Sequence, residues 1–230
     1  MPQGTAIVIG GAEDKVRDRV ILVRFVALAG GPDAKIAVIS TASSFGIEAG
    51  QRYREVFTEL GARDVRPLPC GDPGAGERES VAAVVSDATG IFMTGGNQLR
   101  LSSMIGGTHL ADAILARFRD GAVVAGTSAG ASAISSHMIA FGASGATPKH
   151  RMAQIAAGLG LLRGVIVDQH FQQRSRLGRP ARAQARGDGR ERGGGDQGRT
   201  RGTGRPGRAR RDDPGRGGGC ACGDTARAAG

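Results

Sequence analysis

The sequence predicts an α/β fold with a mostly parallel sheet covered by helices on both faces. Two observations carry this expectation. Short, continuously apolar runs recur along the chain, and stretches with apolar residues at helical spacing separate them. Glycines close most of these segments, as turns between strand and helix require.

Thr5-Ala6-Ile7-Val8-Ile9, ended by Gly10-Gly11, suits a buried parallel strand. Residues 14–29 carry Val16, Val20, Val23 and Val26 at helical spacing and stop at Gly30-Gly31-Pro32. Residues 35–40 read as a second strand, 48–60 as a second helix stopped at Gly61, and 65–68 as a third strand. A helix over 77–87 leads to a strand over 90–94, a helix over 110–119 and a strand over 122–125. A helix over 129–139 and a last strand, Val165-Ile166-Val167, complete the alternation, without internal repeats. Ligands of such sheets bind beyond the carboxyl ends of the strands. That rule selects the turns Gly95-Gly96-Asn97-Gln98, Gly126 to Gly130, and Asp168-Gln169-His170.

Composition divides the chain. Its 230 residues suffice for one domain with a real core. Residues 180–230 hold 15 of the 40 glycines and 12 of the 31 Lys and Arg, but only 6 of the 21 acids. The net charge of +10 therefore splits into +4 before residue 180 and +6 after it. No Val, Ile, Leu, Met, Phe, Tyr or Trp follows Leu177. Such a segment cannot offset a backbone ordering cost of roughly 1–2 kcal/mol per residue. The expectation is a folded domain over 1–179 and a disordered Gly/Arg-rich tail over 180–230. No apolar run approaches the ~20 residues of a membrane span, and the first five residues carry no basic signal-peptide region. Cys70, Cys220 and Cys222 make no disulfide framework. A cytoplasmic protein is expected, with no membrane partner.

The sharpest chemical signal is Gly126-Thr127-Ser128-Ala129-Gly130, a Gly-x-Ser-x-Gly pattern between an expected strand and an expected helix. A nucleophile elbow needs it because its serine sits in a strained turn, where flanking glycines relieve crowding. A serine in a glycine-rich turn is also an ordinary cap; the strand before and helix after favour the elbow. The Ala129 N–H would face a developing oxyanion, and Gly95 and Gly96 offer further N–H groups. As a base, His170 stands apart from the other histidines because it follows an expected strand at the sheet end that carries Ser128. His109, His137 and His150 suit surface or cap positions. Arg174, Arg176 and Arg179, with Asp168 and Gln169 before them, suit a substrate bearing both carboxylate and guanidinium groups, or an ordinary solvated basic stretch.

Four stretches together resemble the serine exopeptidase family that contains cyanophycinase and aspartyl dipeptidase: Ile9-Gly10-Gly11-Ala12-Glu13-Asp14-Lys15, Phe92-Met93-Thr94-Gly95-Gly96-Asn97-Gln98, Gly126 to Ala133, and Asp168-Gln169-His170-Phe171 continuing to Arg179. The resemblance implies a flavodoxin-like fold related to class I glutamine amidotransferases. It implies hydrolysis of cyanophycin, a polymer with an aspartate backbone and arginines on its side-chain carboxyls, to β-Asp-Arg dipeptides. Ser128 would be the nucleophile and His170 its base. Gln98, Asp168, Gln169, Arg174, Arg176 and Arg179 match positions of the substrate pocket, and no cofactor or metal is implied. An aspartyl dipeptidase-like hydrolase, or a binding protein of the same fold without activity, are the alternatives. A homodimer stays open.

Two departures from the family pattern stand out. Where the family carries Ser-Gly-Glu, with a candidate triad acid, this chain has Ser144-Gly145-Ala146. Without an orienting acid, a loss of order 10⁴ in turnover is expected. After Arg179, family strands and a further acid give way to Gly, Arg, Ala, Pro and Asp, the residues that GC-rich codons yield out of register. A Gly/Arg arm for nucleic acid would interleave aromatics for base stacking, and none is present; nucleic acid is not an expected partner. The expected cause is a frameshift. Translation of the gene after codon 179 in the other two forward frames should yield apolar, strand-patterned sequence in one of them, and its absence from both refutes the idea.

Overall fold

The computed structural model describes residues 4–68, 71–72, 74–142 and 153–170. Five strands form one parallel sheet: β1 (Ala6–Ile9), β2 (Lys35–Ile39), β3 (Asp64–Leu68), β4 (Gly90–Met93) and β5 (Val123–Thr127), in the order β1-β5-β4-β2-β3. A separate antiparallel pair, β6 (His137–Gly142) and β7 (Ala153–Ala157), follows. The helices are α1 (Val20–Ala29), α2 (Ile47–Glu59), α3 (Glu79–Ser86), α4 (Gln98–Ile105), α5 (His109–Arg119) and α6 (Ala129–Ile134). This is the flavodoxin-like α/β architecture.

Alternation along the strands builds two cores, one on each face. Ile36 and Val38 of β2 and Phe92 of β4 pack with Leu22, Phe25 and Val26 of α1 and Tyr53, Val56 and Phe57 of α2. Their neighbours Ala37, Ile39, Ile91 and Met93 face Val81 and Val85 of α3, Leu101 and Ile105 of α4, and Leu110, Ile114 and Phe118 of α5. Pro67, which has no N–H for a ladder, lies in β3 at a sheet edge. No helix among the described residues is long and apolar enough to cross a membrane.

The expected elements shift in four places. The helix over 14–29 starts only at Val20, because the Asp14 carboxylate accepts the N–H groups of Val16, Arg17 and Arg19 and folds that stretch into a turn. Those donors, Arg17 first, hold the exposed Asp14 carboxyl well below the usual carboxylate range. The helix over 129–139 ends at Ile134; the Ser135 hydroxyl bonds the carbonyls of Ser132 and His137, and the chain turns into β6. Residues 165–167 form no strand, and Val165 is exposed. Helix α4, given no bounds from the sequence, starts directly after the glycine turn that follows β4; Asn97 caps it, accepting the N–H groups of Leu99 and Arg100 at 2.9 and 3.2 Å. Gly145 and Ala146, the three cysteines and the tail over 180–230 lie outside the described residues.

Phe92 is fully buried and touches three other rings, with centroids 4.7 Å from Tyr53, 5.1 Å from Phe57 and 5.4 Å from Phe25. Phe92→Ala is expected to cost about 3–5 kcal/mol, read as a lower midpoint in urea unfolding. A variant with the wild-type midpoint would contradict this packing account.

Candidate active site

All five strands run parallel, so their carboxyl ends open on one side of the sheet. Ser128 follows β5 there, Gly10-Gly11 follow β1, and Thr94-Gly95-Gly96 follow β4. Ser128 has φ 51° and ψ −110°, a backbone state that costs a non-glycine residue of order 1–3 kcal/mol. Its surroundings hold it there. The Ser128 N–H donates to Ile9 O at 2.9 Å, and the Ser132 N–H donates to Ser128 O at 3.2 Å. A β-carbon on Gly126 would stand 2.4 Å from the Gly130 carbonyl, and one on Gly130 would stand 2.3 Å from Met93 O. The two glycines of the pentapeptide therefore let the turn fold against itself and against β4.

His170 arrives from a segment 42 residues after Ser128. Its N–H donates to Gly10 O at 2.9 Å, and its ring crosses Gly11, where a β-carbon would lie 2.5 Å from both Cε1 and Nε2. Gly11 has φ 115°, so this position needs glycine for both backbone and space. The result is the contact that matters most: Ser128 Oγ lies 3.0 Å from His170 Nε2.

Ser128 Oγ also donates to Gln169 Oε1 at 2.5 Å. Gln169 is buried, and its Nε2 donates to Gln98 Oε1 at 3.2 Å. Gln98 Nε2 in turn donates to the carbonyls of Ile139 and Ala140 at 3.0 and 2.9 Å. The two carbonyls at the end of this chain fix which way both amides point. Asp168 Oδ1 accepts the Gln169 N–H at 2.9 Å and braces the turn. Gly95 stands against Ser128, its absent β-carbon 3.2 Å from Ser128 Cβ. Gly96 has φ 142° and packs on the Ala42 carbonyl, where a β-carbon would meet O at 1.9 Å. Arg174, Arg176 and Arg179 lie outside the described residues.

A model of peptidase family S51 matches residues 6–189. The chain belongs to this family. Within its curated relatives, a cyanophycinase from Geminocystis herdmanii is 46% identical over 178 residues, covering 77% of this chain and 65% of that protein. Cyanophycinases from Synechococcus elongatus and Trichormus variabilis are each 44% identical over 77% of this chain, which covers 55% and 61% of their lengths. The chain thus spans less than two thirds of the S51 relatives it matches. A crystal structure of a peptidase from an acI-B1 Actinobacterium superposes with a TM-score of 0.61 at 25% identity, covering 74% of this chain and 70% of that one.

One group was assigned no role from the sequence, although it lies in the stretch Ile9 to Lys15. The Glu13 side chain is 2% exposed. It accepts hydrogen bonds from the Tyr53 and Thr127 hydroxyls and pairs with Lys15 Nζ at 2.7 Å. Burial pushes its carboxyl up, but the bonds from Lys15, Thr127 and Tyr53 outweigh this and hold it below the ordinary carboxylate value. Glu13 is therefore an anion at neutral pH. Burial, reinforced by that anion, pushes the Tyr53 phenol far up.

Because Gly11 is the seat of the imidazole, Gly11→Ala is expected to displace the ring and leave the sheet intact. Phosphonylation of Ser128 by a fluorophosphonate should slow about 100-fold while the far-UV circular dichroism stays unchanged. Labelling at the wild-type rate would show that the ring does not rest where the geometry has it.

Proposed function

We propose that the protein is a serine exopeptidase that releases β-Asp-Arg dipeptides from cyanophycin through an acyl-enzyme. The observation that carries the reading is the 3.0 Å contact between Ser128 Oγ and His170 Nε2, with the serine in a positive-φ turn at the carboxyl end of β5. The substrate class rests on the cyanophycinases that share 44–46% identity with it.

Ser128 holds one hydroxyl proton and has two acceptors within reach, Gln169 Oε1 and His170 Nε2. Attack requires the proton to pass to His170, whose Nε2 must be unprotonated at that moment. Oγ then bonds to the substrate carbonyl carbon, and the carbonyl oxygen becomes an oxyanion. N–H groups of Gly95, Gly96 and Ala129 are the donors assigned to it. His170 returns the proton to the departing amine, the peptide C–N bond breaks, and the Ser128 ester remains. Water, deprotonated by His170, releases the second product.

The two glutamines suit recognition as well as positioning. When substrate takes the Gln98 and Gln169 amides, the Gln169 oxygen no longer competes for the Ser128 proton. Asp168 would meet a cation of the substrate, and Arg174, Arg176 and Arg179 its carboxylates. We assign the hydrolase to residues 1–179, in a cytoplasmic setting that fits the absence of a disulfide framework from the sequence.

Incubation with cyanophycin should release β-Asp-Arg, and Ser128→Ala should lower that release by about 100-fold, what is left of a serine's roughly 10⁶ once a missing orienting acid has cost about 10⁴. Release that persists in Ser128→Ala would overturn the mechanism. A wild-type protein that cleaves small aspartyl dipeptides and leaves the polymer intact would move the assignment to an aspartyl dipeptidase.

A further inference from the structure

We propose that Glu13 is a positioning residue that sets the distance between nucleophile and base. The inference rests on reading Ser128 and His170 in those roles. Glu13 stands two residues after Gly11, the seat of the His170 ring, and bonds the hydroxyl of Thr127, the residue before Ser128. Through one side chain it ties the turn on which the His170 ring rests to the strand end that leads into Ser128.

The other bonds anchor that tie. Tyr53 belongs to α2 and lies in the aromatic core with Phe57 and Phe92. Its hydroxyl reaches up to the same carboxylate oxygen that Lys15 pairs with at 2.7 Å. The Lys15 ammonium lies 5.2 Å from the Tyr53 ring centroid, so the cation closes the cluster on its outer side. Thr127 is 3% exposed, and the carboxylate has three donors from three segments: the turn after β1, α2 and β5. A side chain so enclosed, at 2% exposure, presents no face to substrate, which separates positioning from catalysis.

The neutral isostere tests position against charge. In Glu13→Gln, Oε1 still accepts from Tyr53 and Lys15, and Nε2 donates to a Thr127 hydroxyl turned round as acceptor. The tie survives and the charge is lost. In Glu13→Ala both go, and in Thr127→Val only the link to the nucleophile is cut. Thr127→Ser keeps that link.

The experiment measures the second-order rate at which a fluorophosphonate phosphonylates Ser128 Oγ with loss of fluoride, on the full chain well below its thermal midpoint. Thr127→Val and Glu13→Ala should label about 100-fold more slowly, with Glu13→Gln and Thr127→Ser within about threefold of wild type. The double variant Glu13→Ala/Thr127→Val should be no slower than either single one, as expected of two groups that act through one contact. Folded Thr127→Val that labels at the wild-type rate overturns the proposal, as does Glu13→Gln that falls as far as Glu13→Ala. Should Glu13→Ala fail to fold, the Thr127 pair decides alone. Cyanophycin cleavage is followed in parallel: a wild type that labels but leaves the polymer intact sinks the substrate reading without touching this one.

Discussion

The site depends on a single backbone constraint, the positive-φ turn at Ser128. A serine on an ordinary strand or helix would bury its hydroxyl or turn it along the surface. Here the turn lifts Oγ above the carboxyl ends of β1, β5 and β4, where the Gly95 turn and the His170 ring converge. The strain is carried by bonds on both sides: Ser128 N–H to Ile9 O ahead of it, and Ser132 N–H to Ser128 O behind it. Gly126 and Gly130 supply the room. An alanine at either would drive a β-carbon into backbone, so the pentapeptide's glycines are spatial requirements of the fold before they are a motif.

A second constraint concerns the serine's proton. An isolated glutamine beside a nucleophile can present either end of its amide. In this chain Gln98 donates to two β6 carbonyls, which leaves its oxygen for Gln169 Nε2 and leaves the Gln169 oxygen for Ser128. Strand β6 thereby orients the amide that meets Ser128 through backbone carbonyls alone. The resting serine is held by an acceptor that cannot act as a base, a few tenths of an ångström nearer than the one that can.

The central sheet was legible because its strands are buried on both faces and read as unbroken apolar runs. The same signal misled at residues 165–167, where an apolar triplet joins no ladder and Ile166 packs instead against Ile139 of β6. It misled again beyond Ile134, because Met138 and Ile139 keep the apolar pattern while the chain changes from helix to strand. The pair β6–β7 was invisible for the opposite reason: Ala153–Ala157 holds one β-branched residue among three alanines and a glutamine. Ser128, His170, Gln98 and Gln169 were legible as turn residues after expected strands, and the structure brings all four together. Glu13 was not. Its partners lie 40 and 114 residues away, and no local pattern reveals that a carboxylate will be enclosed by a tyrosine and a threonine from other elements.

That enclosure makes the core and the site one mechanical unit. Four rings, Phe25, Tyr53, Phe57 and Phe92, pack within 5.9 Å of one another in five pairs on the α1–α2 face of the sheet. Three end in hydrocarbon, and the fourth ends in a hydroxyl bonded to Glu13. Because rings in a packed interior cannot shift without opening a void, the Tyr53 hydroxyl is a fixed point. The carboxylate inherits that fixity, and Thr127 inherits it in turn. The sign of the linkage follows from the lowered Glu13 carboxyl: its contribution to stability is complete above the unfolded value and drains away as pH falls through the folded one. Protonating Glu13, which takes more acid than an ordinary carboxylate does, therefore loosens the one link that joins the aromatic core to the strand end before Ser128.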